Sequence, residues 1–268
     1  MSERTPSARA SEWDGYGSQW IAERPHQLWR RHSDAVNTAL IKSWLPSGNI
    51  RRILKTDLFD EAVSEGICPW LARHGDQLLG LDVSTSVIQE ASRGCPGLMP
   101  TGADVRRLPF KSASFDLIVS LSTLDHFDSK REVATSLGEL YRVMAPGGTL
   151  ILTLDNLANP VIALRNSLPY RLTHGAGLVP YPVGQTFGPR EAASLVAQAG
   201  FSVREQTSVM HAPRVVLVPL MNAFNGNSGA ARTLSSVAMW FERLRKLPSR
   251  SRTGHFVAIL AVKGSSGS

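Results

Sequence analysis

Polar residues gather directly behind short apolar runs at four places in this chain, and their types define the chemistry it can carry. Asp82 and Val83 follow Leu78-Leu79-Gly80-Leu81. A carboxylate there has the acceptor geometry for a cis-diol; its simpler alternative is a plain negative charge at the start of a helix that Ser84 caps. Asp104 and Val105 follow Gly102-Ala103, an acid beside a small apolar side chain. Lys55, Thr56 and Asp57 follow Ile53-Leu54, and here the lysine has the alternative of a structural ion pair with Asp57 or Asp82. Ser120 to His126 follow Leu117-Ile118-Val119. His126, with an ordinary pKa of about 6.5, suits deprotonating a hydroxyl, and packing is its alternative. Asp125 has the same two readings.

These groups need elements that bring them to one place. Residues 115–120 form an apolar run of buried-strand type, 130–144 carry Val133, Leu137, Leu140, Val143 and Met144 at helical spacing, and 150–154 form a second buried strand. Ala145-Pro146-Gly147-Gly148 between them predicts a sharp reversal. The same reading gives strands at 50–55, 77–83, 98–102, 201–207 and 255–263, and helices at 59–74, 84–93 and 189–199. A helix after Pro25 carries Leu28, His32, Val36, Leu40 and Trp44 on one stripe. Residues 1–10 read as disordered, 156–188 as an irregular insertion and 210–250 as a mostly helical one. Strands alternating with helices predict an α/β fold with a parallel sheet, whose ligand crevice lies at the carboxyl ends of the strands.

One string is specific enough to carry a resemblance. Glu139 to Leu150 reads E-L-Y-R-V-M-A-P-G-G-T-L, which resembles the late signature of class I S-adenosylmethionine-dependent methyltransferases of the bacterial small-molecule and quinone type. The resemblance implies a doubly wound, Rossmann-like, seven-stranded and mostly parallel sheet with an antiparallel edge strand and helical insertions. It implies that Asp82, with Val83 beside it, accepts hydrogen bonds from both ribose hydroxyls. In the segment 102–110, Asp104 would contact the adenine amine and Val105 flank the ring. Ser120 to His126 would lie below the sulfonium and at the floor of the acceptor site, with His126 and Asp125 as candidate catalytic residues. The first motif departs from the pattern: Lys55 stands where the family has an acid, and no glycine follows until Gly66. Either Thr56 and Asp57 contact the amino group or sugar of S-adenosylmethionine and Lys55 its carboxylate, or the loop is remodelled and binding is altered. The resemblance thus implies methyl transfer to a small or lipid-like acceptor, set against a fold that binds a nucleoside or partner without transfer, and against RNA methylation.

Composition bounds the rest. The chain has 268 residues, 43% hydrophobic and 19% charged, which suits one core. Residues 1–48 read as an N-terminal lid and helix, and 49–268 as the methyltransferase domain. Trp13, Tyr16 and Trp20, with Tyr170, His174 and Tyr181, are candidates to cover the site. Two cysteines and seven histidines without ligand spacing predict no metal, and a reducing cytoplasm is the expected location. The net charge of +7 is concentrated at 232–252, where Leu234, Val237, Phe241 and Leu244 share a helical face. That segment predicts either peripheral contact with the inner membrane or a helix packed on the domain. Nucleic acid is not the expected partner, since no RNA-binding module is added.

Overall fold

The computed structural model describes residues 6–175, 184–224 and 228–265. Seven strands, β1 (Arg52–Lys55), β2 (Gln77–Asp82), β3 (Leu98–Gly102), β4 (Phe115–Leu121), β5 (Met144–Asp155), β6 (Ser202–Val209) and β7 (Phe256–Val262), form one sheet in the order β3-β2-β1-β4-β5-β7-β6. The pairs from β3 through β5 are parallel, and β7 runs antiparallel to both β5 and β6, one strand in from that edge. Strand order reverses between β1 and β4, and this switch opens the crevice at their carboxyl ends.

Twelve helices surround the sheet among the described residues: α1 (Pro6–Glu23), α2 (Gln27–Trp44), α3 (Phe59–Val63), α4 (Cys68–Leu71), α5 (Thr85–Gly94), α6 (Lys130–Val143), α7 (Pro160–Ser167), α8 (Tyr170–Gly175), α9 (Pro189–Gln198), α10 (Arg214–Ala223), α11 (Gly229–Phe241) and α12 (Arg250–Thr253). Their starts are chemically specified. Ser84 caps α5 by accepting from the Val87 amide at 3.2 Å, and Ser129 with Glu132 closes a capping box on α6. Two apolar layers result. Leu40, Ile53, Leu58, Leu78, Val87, Leu117 and Val119 pack on one face of the sheet, and Phe115, Ile118, Leu137, Leu140, Leu150 and Val257 on the other. Phe115 and Leu117 fall on opposite faces although two residues apart, because a register shift lies between them where the Pro146-Gly147-Gly148 entrance to β5 is bulged.

Three expectations are corrected. Residues 59–74 are two short helices rather than one, because Gly66 turns left-handed (φ 61°) and Pro69 opens a new helix. Residues 6–10 belong to α1, whose Trp13 and Trp20 reach the crevice. The segment 156–188 contains α7 and α8; Asn159 accepts from the Val161 amide and Pro160 opens the helix. Tyr181 lies outside the described residues.

The loop after β1 is held by a buried ion pair. Lys55 donates to Glu61 Oε2 at 2.8 Å and to the Asp57 carbonyl at 2.6 Å, while Glu61 Oε1 accepts from the amides of Ile67 and Cys68. Burial opposes the charge on Lys55, yet Asp57 and Glu61 raise its pKa well above the ordinary value. The two side chains are 3% and 1% exposed, so removing one strands the other without solvent. Lys55→Met should therefore destabilise the fold by about 3–5 kcal/mol, and Lys55→Met with Glu61→Leu should recover much of the loss. Denaturant midpoints check this; an unchanged midpoint in the single variant would show that the pair holds nothing.

Candidate active site

A cleft of about 1560 Å³, its open mouth included, occupies the switch point. Its β3-β2-β1 side is lined by Asp57, Asp82, Val83, Ala103, Asp104 and Val105; its β5-β7 side by Thr153, Met210, Arg214, His255 and Phe256. Leu121, Ser122, Thr123, His126 and Phe127 lie between them. Trp13 and Trp20 of α1, and Trp29, Ser33 and Asn37 of α2, cover it.

The acidic side is preorganised by backbone amides. Asp82 accepts from Leu58 N at 3.0 Å and Ser84 N at 2.9 Å, so its position depends on the loops after both β1 and β2. Burial, partly opposed by those amides, raises its pKa to about 6. Asp57 accepts from the Thr123 hydroxyl at 3.1 Å, which ties the ends of β1 and β4. Asp104 is gripped by Arg106, which also pairs with Glu132 and lies 5.1 Å over the Phe127 ring. Asp14 of α1 lands on the start of α5, accepting from the Ser84 and Ser86 hydroxyls at 2.7 and 2.9 Å and from the Ser86 amide. Hydrogen bonds from Ser86 and Ser84 lower its pKa, as suits a carboxylate at a helix N-terminus.

At the centre, burial pushes the half-buried His126 below its ordinary pKa against the pull of Asp155 and Asp57, so the ring is neutral near pH 7. Its ring packs edge to face with Trp13 at 5.1 Å. His255 stands on the far side. Burial, with Arg214 and Arg165 adding to it against Asp155, brings its pKa down to about 4.

The structure brings Thr56, Asp57, Asp82, Val83, Asp104, Val105 and His126 to the cleft wall. It does not bring Lys55, Ser120 or Asp125 there. Lys55 is the inward ammonium of the Glu61 pair. Ser120 is fully buried and accepts from the Thr56 hydroxyl at 2.9 Å, joining β1 to β4. Asp125 is buried and accepts from the Ser122 hydroxyl and the Asp155 amide, both at 2.9 Å; burial beside Asp155 pushes its carboxyl well above the usual range. It positions the β4 and β5 loops. Asn156 and Asn159 bond to the 251–254 backbone and to their own turns. Sequence reasoning missed Trp29, Ser33, Asn37, Arg214 and His255. Arg214 alone carried a signal, as the one charged residue of α10, RVVLVPLMNA.

Part of the chain is similar to known methyltransferases. Residues 63–152 match the model of the methyltransferase domain family, beginning just past the loop that departs from the family pattern. The chain is 29% identical over 131 residues to malonyl-[acyl-carrier protein] O-methyltransferase of Enterobacter lignolyticus, covering 49% of this chain and 47% of that protein. It is 35% identical over 75 residues to the Bos taurus protein named "Probable tRNA methyltransferase 9B", covering 28% of this chain and 16% of that one. Both matches thus span less than half of the relative's length. A chain of the structure titled "Complex between the Haloferax volcanii Trm112 methyltransferase activator and the putative methyltransferase" superposes with a TM-score of 0.59 at 17% identity, over 96% of this chain and 98% of that chain. Residues 63–152 thus form a methyltransferase-like segment within a seven-stranded Rossmann-like sheet.

If Asp82 holds ligand hydroxyls, it accepts their hydrogen bonds most strongly when ionised, and its pKa of about 6 lies well above the usual carboxylate value. The affinity for S-adenosylhomocysteine should hold above pH 7 and fall as pH drops through 6, approaching about tenfold per unit below it. Asp82→Asn should weaken binding and flatten the profile. Calorimetry between pH 5 and 8 checks both; a wild-type profile that stays flat removes Asp82 from the ligand.

Proposed function

We propose that the chain transfers the methyl group of S-adenosylmethionine to a small or lipid-like acceptor bound between α2, α10 and the ends of β5 and β7. The observation that carries this is the division of charge in one cleft: Asp57, Asp82 and Asp104 line the half formed by the first three strands, and none of the acids on the wall stands in the other half. A donor bearing a sulfonium and an ammonium meets carboxylates on the first side. The residues fit that group. Asp82 would hold the ribose, Asp104 and Val105 the adenine, and Asp57 the amino-acid end, with Thr56 behind it.

Bound there, S-adenosylmethionine supplies an electrophilic methyl group on a positively charged sulfur. The chain's own part is positioning and proton transfer. Trp13, Trp20 and Trp29 cover the cleft and exclude water, and closing the distance between reacting groups supplies much of the rate. A neutral His126 at the centre of the wall can take the proton that an acceptor hydroxyl loses as it attacks.

The acceptor class draws on the helices beside the cleft. Val215, Val216, Leu220 and Phe224 of α10 and Val237, Met239 and Trp240 of α11 are exposed, and the basic residues Arg243, Lys246, Arg250 and Arg252 lie next to them in sequence and are exposed too. Leu234 and Phe241 instead pack beside Trp29 and Met221, so only part of the stripe is free. No helix of the described residues is long and apolar enough to cross a membrane. Docking on an anionic bilayer would present a membrane-dissolved acceptor to α10.

RNA methylation is the second reading, favoured by the similarity to a protein named as a tRNA methyltransferase and by the +7 charge. Salt-sensitive retention of tRNA, with methyl label entering the RNA, would favour it.

Two outcomes follow. Labelled methyl groups should pass from S-adenosylmethionine to a member of a panel of quinols and hydroxy acids, and His126→Gln should lower kcat by about 10²–10⁴-fold with S-adenosylhomocysteine affinity kept. Binding without any transfer would leave a nucleoside-binding protein of this fold. Cosedimentation with vesicles should rise with anionic lipid and fall with salt, since each engaged basic residue contributes about 1 kcal/mol; protein that stays in the supernatant at low salt points to a water-soluble acceptor.

A further inference from the structure

Every other arginine at or beside the cleft has an acidic partner. Arg30 meets Asp60 at 2.5 Å, Arg106 meets Asp104 and Glu132, and Arg165 meets Asp155 at 2.6 Å. Arg214 is the exception. It lines the cleft half-buried in the first turn of α10, and its guanidinium makes no hydrogen bond or ion pair with any described residue. Its position is electrostatically unfavourable on its own, because a cation in the first turn opposes the helix dipole. Its charge is felt in the cleft, where it helps hold His255 neutral.

The rest of this half's lining is uncharged or held neutral. Trp29, Met210 and Phe256 supply aromatic and thioether surface, and Ser33, Asn37 and Thr153 supply uncharged donors and acceptors. The half therefore offers one fixed positive charge, neutral polar groups and aromatic surface.

We infer that the acceptor is a flat, largely apolar molecule bearing a single carboxylate, and that Arg214 is the residue that selects it. This rests on the methyl-transfer reading only in naming this half of the cleft the acceptor half. A guanidinium fork matches a carboxylate bidentately, and the pair strengthens where aromatic walls exclude water. A phosphate monoester carries nearly two charges and would call for a second cation, which this half does not offer: His126 and His255 are both held neutral. The charge pattern then becomes complementary along the whole cleft, a cationic donor against carboxylates and an anionic acceptor against arginine.

The test compares two isosteric probes, 3-hydroxy-2-naphthoate and 3-hydroxy-2-naphthamide, with the full-length protein, read by quenching of the cleft tryptophans with and without saturating S-adenosylhomocysteine. The wild type should bind the carboxylate about tenfold or more tightly than the amide, the scale of a hydrogen-bonded charge pair. Arg214→Gln should erase that preference and leave amide binding unchanged, and Arg214→Lys should restore part of it. Arg214 has no internal partner to lose, so the variant's thermal midpoint should stay near that of the wild type, and an unchanged amide affinity excludes a general structural effect. Failure of the carboxylate to outbind the amide in the wild type overturns the inference, as does a preference that survives Arg214→Gln or tighter binding of 1-naphthyl phosphate. Calorimetry with S-adenosylhomocysteine alone separates the two readings: if that ligand fails to bind, the methyl-transfer reading falls while the probe pair still decides the role of Arg214.

Discussion

The loop between β1 and α3 must turn sharply enough to leave room for a ligand, and in this chain a buried charge pair does what backbone freedom would otherwise do. Glycine allows such a turn because it tolerates unusual backbone angles and close approach. Here residues 55–65 contain none. Lys55 instead sits under the loop between Glu61 and the Asp57 carbonyl, and the second oxygen of Glu61 collects the amides of Ile67 and Cys68. That fixes where α3 ends, where Gly66 turns and where α4 begins. It also delivers Asp57 to the cleft and points the Leu58 amide at Asp82. An ion pair that lies off the cleft wall thus helps to place the acids of the first two strands.

The cleft has two origins. Its acidic half comes largely from β2, β3 and the β4 loop, inside the segment that matches the methyltransferase family. Its other half comes from α2, from α10 and from the start of β7, all outside that segment. Trp29 of α2 packs with Leu217 and Met221 of α10 and Ala238 of α11 in a small core of its own. Most of the acidic half thus lies inside the matched segment and most of the other half outside it.

Buried networks behind the wall keep the centre rigid. Asp155 pairs with Arg165 and lies 3.6 Å from His255, and although burial opposes its charge these partners hold it below the usual carboxylate range. Asp125, its pKa raised by burial and by Asp155, braces the same loops. Burial lowers the pKa of both His126, in the β4 loop, and His255, on the β5-β7 side of the wall.

The seven strands, the capped start of α5, and the acids Asp82 and Asp104 were legible in the residues, because apolar runs of strand length, Ser at a cap and an acid at a strand end are local signals with local causes. The roles of Lys55, Ser120 and Asp125 were not. Each lies beside a residue that does line the cleft, and a strand end gives no indication of which neighbour faces the crevice and which faces the adjacent strand; that is decided by sheet twist and by partners such as Glu61, Thr56 and Asp155. The break at Gly66 escaped for a similar reason, since the glycine was visible but the carboxylate that stabilises the break is set by a tertiary pair. The acceptor wall was least legible. Asn37 and Arg214 are separated by most of the chain, and only packing of α2 against α10 and α11 puts them on one surface. Local sequence determined the elements and the donor-side acids; long-range packing decided which side chains share the cleft, because burial and charge pairing are properties of assembled neighbours.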